Sequence, residues 1–313
     1  MVTFAHIINP LVVRTPDSDL ANAQPITLES MKRAAQRARS EGIEVEQLAA
    51  TYPEDDAVIP ESFLGTPHLE ESLLDHVRGG PQEPRRKLPL LREILDRLYH
   101  GAPHAEFMIY SNIDIGLQPD FYIEIERVIR ERGWDAFSVM RHTVSDEHRT
   151  VEELDLIHEL PGVPQGGYSC LIFRRRDYPS YALGNVCIGL QPVSVLLMLN
   201  MMIHSERFGQ IKQQRLCFHL GDDGDWRGQL LNSFHRWNEQ QLEDFLESAG
   251  PAIDRCPPAR TLRGQYLELR AGYVIHSTRS PLKRMALKTA RRVGLTSWIN
   301  RGYQTSEELR LVQ

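Results

Sequence analysis

The sequence contains few cysteines and no C-x-x-C pair. Its four cysteines in 313 residues are widely spaced, unlike the ligands of a zinc site or the cysteines of a small disulfide-linked domain. We therefore expect buried free thiols in a reducing cytosol. The four are Cys170, Cys187, Cys217 and Cys256.

Long hydrophobic runs are also absent. The longest apolar stretch, Val193 to Ile203, contains Ser194 and Asn200 and is shorter than the roughly 18 residues that a membrane-spanning helix requires. The amino terminus lacks the basic and apolar regions of a signal peptide. These features predict a cytoplasmic protein that does not cross a membrane.

Basic charge is not in excess. The 36 Lys and Arg residues are outnumbered by 42 Asp and Glu residues, so no nucleic-acid partner is expected. One segment differs, because residues 279–304 hold seven basic residues and no acidic residue. Within it, residues 281–293 form a basic amphipathic pattern. Such a helix either makes a peripheral contact with anionic lipid on the inner face of the membrane or packs on an acidic protein surface.

Several catalytic signatures are missing. The sequence has no glycine-rich dinucleotide fingerprint, no P-loop, no H-E-x-x-H and no G-x-S-x-G. The acidic stretch from Asp222 to Asp225 does not form a calcium-binding loop, because Arg227 and Ser233 stand where that loop requires Gly and Glu. The function classes that depend on these motifs are therefore not favoured.

Strand patterns and helix patterns alternate along most of the chain. With 41% hydrophobic and 25% charged residues, the composition is that of a soluble globular protein. The alternation predicts an open mixed α/β sheet flanked by helices over residues 1–231. Residues 232–313 contain helical patterns and are predicted to form a helical C-terminal extension. The expected strands begin near Phe4, Val45, Phe107, Ala136, Cys170 and Leu216, and the expected helices near Thr27, Leu91, Pro119, Gln191, Trp237, Leu262 and Pro281.

A polar motif, Ser111-Asn112-Ile113-Asp114, directly follows the apolar strand that begins at Phe107. Open α/β sheets bind their ligands at this end of a strand. On an extended backbone Asn112 and Asp114 point the same way, and their oxygens suit a hard divalent cation that shares substrate phosphates. An ordinary capped turn is the alternative interpretation.

A second polar segment, Cys217 to Trp226, follows a later strand and contains His219 and Gly221. A histidine at the end of a strand either completes a metal site or is a hydrogen-bonded structural residue. Because the two polar segments end separate strands, we expect Asp114 and His219 to lie within metal-coordination distance of each other. A separation of more than about 8 Å, several times a metal–oxygen bond, would exclude a shared site.

These segments resemble the metal-binding motifs of bacterial GT-A glycosyltransferases. Asn112-Ile113-Asp114 is similar to the D-x-D motif of that family, with Asn in the first position. His219, Gly221 and Trp226 are similar to its late His-x-x-Gly element, without the Lys-Pro that the family carries there. The resemblance extends over about residues 4–226. The first strand of the family, with its nucleotide-facing turn, is similar to Ile7-Ile8-Asn9-Pro10. Lys87 begins the segment that resembles the family's next relevant helix, which precedes the strand ending in the metal-binding motif.

The resemblance implies a GT-A-like, Rossmann-like fold and a glycosyltransferase. Such an enzyme moves a sugar from a nucleotide diphosphate sugar, for example a UDP-sugar, to a glycan, lipid-linked or small-molecule acceptor, as in polysaccharide biosynthesis. A divalent cation, Mn²⁺ or Mg²⁺, is implied as the group that offsets the charge of the departing diphosphate. The implied metal ligands are Asn112, Asp114 and His219, and the implied nucleotide-sugar contacts are Asn9, Lys87, Ser111, Asn112, Ile113 and Gly221.

The acceptor site and the catalytic base are assigned by position. Acceptor loops of this fold lie beside strand ends, where an aromatic face suits a sugar ring, although a solvated rim is the alternative interpretation. The acceptor candidates are Arg141, His142, Gly167 and Tyr168. The candidates for the base are Asp177, Asp222, Asp223 and Asp225.

Two other function classes stay open. A nucleotidyltransferase on a similar sheet usually has a glycine-rich phosphate loop after its first strand, whereas Asn9-Pro10-Leu11 contains no glycine. A protein that keeps the fold only to bind a nucleotide or a sugar is the second alternative. Asn112, in place of the first Asp of the motif, makes this alternative plausible.

Overall fold

The structure is a computed structural model that describes residues 2–14, 18–77, 87–166, 168–221 and 233–277. The helices in these residues are α1 (Leu20–Ser40), α2 (Leu73–His76), α3 (Leu91–Gly101), α4 (Phe121–Arg132), α5 (Leu154–Glu159), α6 (Val193–His204), α7 (Ser233–Ser248), α8 (Gly250–Arg255) and α9 (Pro257–Ser277). The strands are β1 (Thr3–Ile8), β2 (Glu44–Ala49), β3 (Leu64–Gly65), β4 (Phe107–Ser111), β5 (Gly116–Leu117), β6 (Ala136–Val139), β7 (His142–Val144), β8 (Val163–Pro164), β9 (Cys170–Arg174), β10 (Phe208–Ile211) and β11 (Cys217–Leu220).

The main sheet has seven strands in the order β10-β6-β9-β4-β1-β2-β3. Strand β9 runs antiparallel to its neighbours β4 and β6, and the other neighbouring pairs are parallel. From β1 the chain continues to β2 on one side and later returns to β4 on the other, so the strand order reverses between β1 and β4. The predicted fold class, an open mixed sheet flanked by helices, is confirmed.

The central strands are buried on both faces. All five residues of β4 are buried, and β1 is buried from Phe4 to Ile8. Near-continuous apolar runs such as these are typical of strands that helices cover on both sides. The main core includes aromatic side chains from both strands and from other elements, among them Phe4, Phe107, Phe121 and Phe137.

A second, smaller sheet has the order β5-β11-β7-β8. Strand β11 is parallel to β7 and antiparallel to β5, and β8 is antiparallel to β7. Strands β5 and β8 contain two residues each, which is too short for a periodic pattern, so the sequence did not predict this sheet. It joins the segment that follows β4 to the late strand β11.

Helix α1 begins at Leu20 and not at Thr27, where the sequence predicts an N-cap. The helix therefore runs through Pro25, although proline lacks an N–H group and is disfavoured inside a helix. The earlier turn is held by a tertiary contact. The side-chain amide of Gln24 accepts a hydrogen bond from the Leu11 N–H group at 3.0 Å and donates one to the Leu11 carbonyl oxygen at 2.9 Å.

The chain divides into two units, Met1–Ala259 and Arg260–Gln313. The first unit includes α7, because Asn238 exchanges two hydrogen bonds of 2.9 Å with the backbone of Cys187. The predicted domain boundary between residues 231 and 232 lies outside the described residues, as does the predicted basic helix over 281–293. None of the described helices is long and apolar enough to span a membrane. Cys170, Cys187 and Cys217 are buried free thiols, as predicted, and Cys256 is partly buried.

Candidate functional site

The reversal of strand order places two polar residues at one edge of the main sheet. Asn9 follows β1 and Asn112 follows β4, so both lie at the carboxyl ends of adjacent parallel strands. Asn9 is buried, and its side-chain amide donates a hydrogen bond of 2.6 Å to the carbonyl oxygen of Ala50, which follows β2. Open α/β sheets bind ligands at such a reversal, because the loops separate there.

Asp114 and His219 meet at this edge. His219 Nε2 lies 3.4 Å from Asp114 Oδ2, so the predicted proximity of the two residues is confirmed. Strand β5 explains how they meet, since its two residues pair with Cys217 and Phe218 of β11. Continuing that antiparallel register from β5 back towards β4 brings Asp114 alongside the end of β11.

The pairing of β5 with β11 depends on the absence of a side chain at Gly116. A Cβ atom there would lie 2.2 Å from the Phe218 Cζ atom, far closer than two carbon atoms approach. The bare backbone of Gly116 packs on the Phe218 ring and lets the strands come together. Gly116 thus takes part in placing Asp114, a role that no sequence motif indicates.

The backbone of Gly221 orients His219. Gly221 has a φ of 70°, a left-handed conformation that favours glycine, and its N–H group donates to the Val144 carbonyl oxygen at 3.0 Å. The Gly221 carbonyl oxygen lies 3.2 Å from His219 Nδ1. A carbonyl oxygen only accepts hydrogen bonds, so this contact places a proton on Nδ1. Nε2 of the same ring then faces Asp114 Oδ2.

Positive charge surrounds the Asp114 carboxylate. Burial opposes its ionisation, but the hydrogen bond with His219 and the charges of His219 and Arg141 outweigh burial, so the pKa of Asp114 lies below its ordinary value. Asp114 Oδ1 is buried and has no hydrogen-bond partner among the described residues. The site therefore holds an ionised carboxylate whose Oδ2 atom faces His219.

The separation between Asp114 and His219 fits two ligands of one cation. Atoms that lie about 2.1 Å from a cation and roughly 90–110° apart are separated by roughly 3.0–3.5 Å. Three or more His, Cys, Asp or Glu side chains do not converge on a metal site anywhere in the described part of the chain. Two protein ligands suit a cation such as Mg²⁺, which keeps several waters and shares substrate phosphates.

Asn112 lies in a turn and not on the extended backbone that the sequence predicts. The Ile115 N–H group donates to the Asn112 carbonyl oxygen at 3.1 Å and closes that turn. The extended backbone that the sequence predicts from Asn112 to Asp114 is therefore not formed. The Asn112 side chain is exposed, and its Oδ1 accepts a hydrogen bond of 3.3 Å from the hydroxyl group of Tyr110.

Of the other predicted nucleotide-sugar contacts, Ser111 and Ile113 lie towards the interior and Lys87 lies at the carboxyl edge of the sheet. The Ser111 hydroxyl lies 2.8 Å from His6 Nε2 in the protein interior and does not face the site, and Ile113 packs against the main core. Lys87 lies beyond the carboxyl end of β2, because its Nζ atom forms a 2.6 Å ion pair with Glu54 in the 3₁₀ turn that follows that strand. Its Nζ atom also lies 5.0 Å from the ring centre of Tyr52.

Only one of the two cation-capable acceptor candidates is brought to Asp114. Arg141 is close enough for its charge to lower the pKa of Asp114. His142 packs elsewhere, since a Cβ atom on Gly162 would lie 2.7 Å from the His142 Cβ atom, and burial and the charge of Arg215 lower the His142 pKa. Arg141 and His142 are consecutive, and neighbouring residues of an extended chain point to opposite sides, which explains why they do not both lie near Asp114. Tyr168 is partly buried, and Gly167 lies outside the described residues.

Asp177, the candidate for the catalytic base that lies among the described residues, is not brought to Asp114. Asp177 follows β9, and because β9 is antiparallel to β4 its end lies where β4 begins, with Arg174 opposite Phe107. Asp177 therefore stands at the opposite edge of the sheet, 3.5 Å from the Arg176 guanidinium group. Asp222, Asp223 and Asp225 lie outside the described residues.

Sequence reasoning missed Tyr110 as a neighbour of the site. Its buried hydroxyl group contacts Asn112, and burial and the nearby charge of Asp114 raise the Tyr110 pKa. Its position offered a signal, because Tyr110 lies one residue before the end of β4.

No family model and no curated protein sequence matches the chain. Among solved structures, the chain is similar to residues 1–349 of S. aureus TarS in complex with UDP-GlcNAc. The TM-score is 0.46 at 11% identity, over 79% of this chain and 72% of that chain. The same TarS fragment in complex with UDP gives a TM-score of 0.44 at the same identity and coverage. The catalytic domain of Drosophila β1,4-galactosyltransferase 7 in complex with xylobiose gives 0.38 at 7% identity, over 71% of this chain and 72% of that chain. Similarities this distant do not specify a ligand for this chain.

Proposed function

We propose that this protein is a glycosyltransferase that moves a sugar from a nucleotide diphosphate sugar to an acceptor hydroxyl group. The observation that carries the proposal is the Asp114–His219 pair at 3.4 Å, beside the reversal of strand order between β1 and β4. A carboxylate and an imidazole nitrogen at that edge suit a cation shared with the two phosphates of such a donor.

Asp114 Oδ2 and His219 Nε2 would hold Mn²⁺ or Mg²⁺, with Asn112 as a third candidate ligand. The cation would neutralise the negative charge that develops on the diphosphate as it leaves. Arg141 adds positive charge beside Asp114 and serves the same purpose. The remaining candidates for contacts with the nucleotide sugar at this edge are Asn9, Lys87 and Gly221.

The proposed transfer exchanges one bond for another. The acceptor oxygen attacks the anomeric carbon, the bond from that carbon to the diphosphate oxygen breaks, and the hydroxyl proton passes to a base. Asp222, Asp223 and Asp225 are the remaining sequence candidates for this base. Arg141 and Tyr168 are the candidates for binding a glycan, lipid-linked or small-molecule acceptor.

A panel of nucleotide sugars with Mn²⁺ and no acceptor tests the proposal. We expect slow release of the nucleoside diphosphate from at least one donor, because water replaces the acceptor, and loss of that release when the metal is chelated. Pyrophosphate release from a nucleoside triphosphate and a sugar 1-phosphate would instead assign nucleotidyl transfer. Calorimetric binding of a donor without turnover would indicate a non-catalytic binding protein, and no binding of any donor would contradict the whole proposal.

We further propose that residues 281–293 bring the protein to the inner face of the cytoplasmic membrane. Each cation near an anionic bilayer contributes about 1 kcal/mol, and salt screens that attraction. The full chain should therefore sediment with anionic vesicles at low salt, and a variant in which the five cations of this segment are Gln should not. Equal sedimentation of both proteins, or no preference over neutral vesicles, would contradict membrane contact. The five are Lys283, Arg284, Lys288, Arg291 and Arg292.

A further inference from the structure

A chain of three buried polar side chains lies beneath the site. His6 Nε2 is 2.8 Å from Ser111 Oγ, and His6 Nδ1 is 2.9 Å from the Tyr122 hydroxyl oxygen. All three residues are at most 1% exposed, and the proposed transfer uses none of them. Buried polar groups are unfavourable unless they are hydrogen-bonded. The three side chains therefore keep their hydrogen bonds only while His6, Ser111 and Tyr122 keep their relative positions.

The two hydroxyl groups stand at the two ends of the segment that carries Asp114. Ser111 is the last residue of β4 and Tyr122 is the second residue of α4. His6 belongs to β1, which pairs with both β2 and β4 inside the main sheet. One imidazole on an interior strand thus contacts both ends of the connection from β4 to α4.

The ring of His6 is suited to this contact because it is neutral and rigid. Burial lowers the pKa of His6 to about 3, so near neutral pH the ring has one N–H group and one lone pair. One hydroxyl group accepts a hydrogen bond from the ring and the other donates one to it. The two nitrogens are fixed relative to each other, so a shift of either hydroxyl group breaks a hydrogen bond.

We propose that His6 is a positioning residue that, through Ser111 and Tyr122, holds the connection between β4 and α4 so that Asp114 lies beside His219. Its importance for sugar transfer rests on the proposed function, whereas its effect on the position of the connection does not. Two hydrogen bonds of 2.9 Å hold the same connection farther along: the Leu117 N–H group donates to Ser30 Oγ and the Gln118 N–H group donates to the Leu216 carbonyl oxygen.

Native-state hydrogen exchange on the full chain, without any ligand, tests the positioning role. Removing one hydroxyl group, by Tyr122→Phe or Ser111→Ala, should make the amides of Ile115, Leu117 and Gln118 exchange about five to ten times faster, because the hydrogen bond between that group and His6 is lost. Ser111→Thr keeps the hydroxyl group and should restore slow exchange.

Tyr178→Phe is the matched control. It also removes a buried tyrosine hydroxyl group, which donates to Asp96 Oδ1 of α3 at 2.7 Å and does not contact the connection between β4 and α4. We expect it to leave exchange at Ile115, Leu117 and Gln118 unchanged relative to the rest of the chain. Equal exchange in Tyr122→Phe and Tyr178→Phe, or a uniform rise over all amides, would overturn the positioning role.

A second measurement links the position to the site. The dissociation constant for UDP with Mn²⁺ should rise about five- to tenfold in Tyr122→Phe and stay unchanged in Tyr178→Phe. If the wild-type protein binds no nucleotide, the proposed function fails while the exchange result still decides the positioning role. Unchanged affinity in Tyr122→Phe with faster local exchange would show that His6 positions the connection but not the ligand site.

Discussion

Sugar transfer should fall by about two to three orders of magnitude when Asp114 is replaced by Asn. The amide keeps the shape of the side chain but removes the charge that faces His219 and Arg141, and it is a poor ligand for a hard cation. The free energy of unfolding should change by only about 1 kcal/mol, because the side chain is 27% exposed and forms a partly solvated ion pair. Turnover of the donor and urea unfolding measure the two effects.

Glu106→Gln is the matched control for this variant. Glu106 directly precedes β4, whereas Asp114 follows it, and its half-exposed carboxylate forms a 2.6 Å ion pair with Arg174. The substitution removes a charge near the same strand but at the opposite edge of the sheet, so transfer should continue at the wild-type rate. Wild-type turnover in Asp114→Asn, or an equal loss in both variants, would rule out the role assigned to Asp114.

Lowering the pH from 7 to 5 should destabilise the protein through His6, although the ring is protonated in the folded protein only near pH 3. The unfolded chain binds a proton at His6 near pH 6.5, whereas burial delays protonation in the folded chain to about pH 3. The unfolded state therefore binds more protons between these values, so this contribution to stability is complete above pH 6.5 and is lost as the pH falls towards 3. Between pH 7 and pH 5 the loss should be about 2 kcal/mol.

The comparison of wild type with His6→Gln isolates this effect. Gln does not titrate, so the variant should lose about 2 kcal/mol less between pH 7 and pH 5 in urea unfolding, whatever its stability at pH 7. The contacts of His6 are the hydroxyl groups of Ser111 and Tyr122 and the rings of Phe121 and Tyr122, which are uncharged in this range. Identical pH dependence in the two proteins would show that His6 is not kept neutral. The other histidines with lowered pKa values contribute equally to both proteins; they are His142, His158 and His204.

Local sequence patterns were sufficient to predict a helix or a strand where the element is long and its hydrophobic period is clear. The apolar run at Phe107 predicted β4, and the pattern from Pro119 to Arg132 predicted α4, because burial of one face repeats within a few residues. They failed at Leu20, where the start of α1 depends on hydrogen bonds between Gln24 and Leu11. They also failed at Ser111, whose hydroxyl group looked available to a ligand but contacts His6.

The residues of the site were visible in the sequence as polar groups at the ends of apolar runs, since a chain that leaves a buried strand becomes polar where it meets solvent. Which of these groups meet depended on strand direction and pairing between distant segments. An apolar run such as the one at Cys170 has the same pattern in either direction, yet the antiparallel course of β9 places Asp177 at the far edge of the sheet. The two residue pairs between β5 and β11 bring Asp114 to His219. Periodicity records how a segment is buried, whereas direction and register depend on contacts between segments, and these arise only when the chain folds.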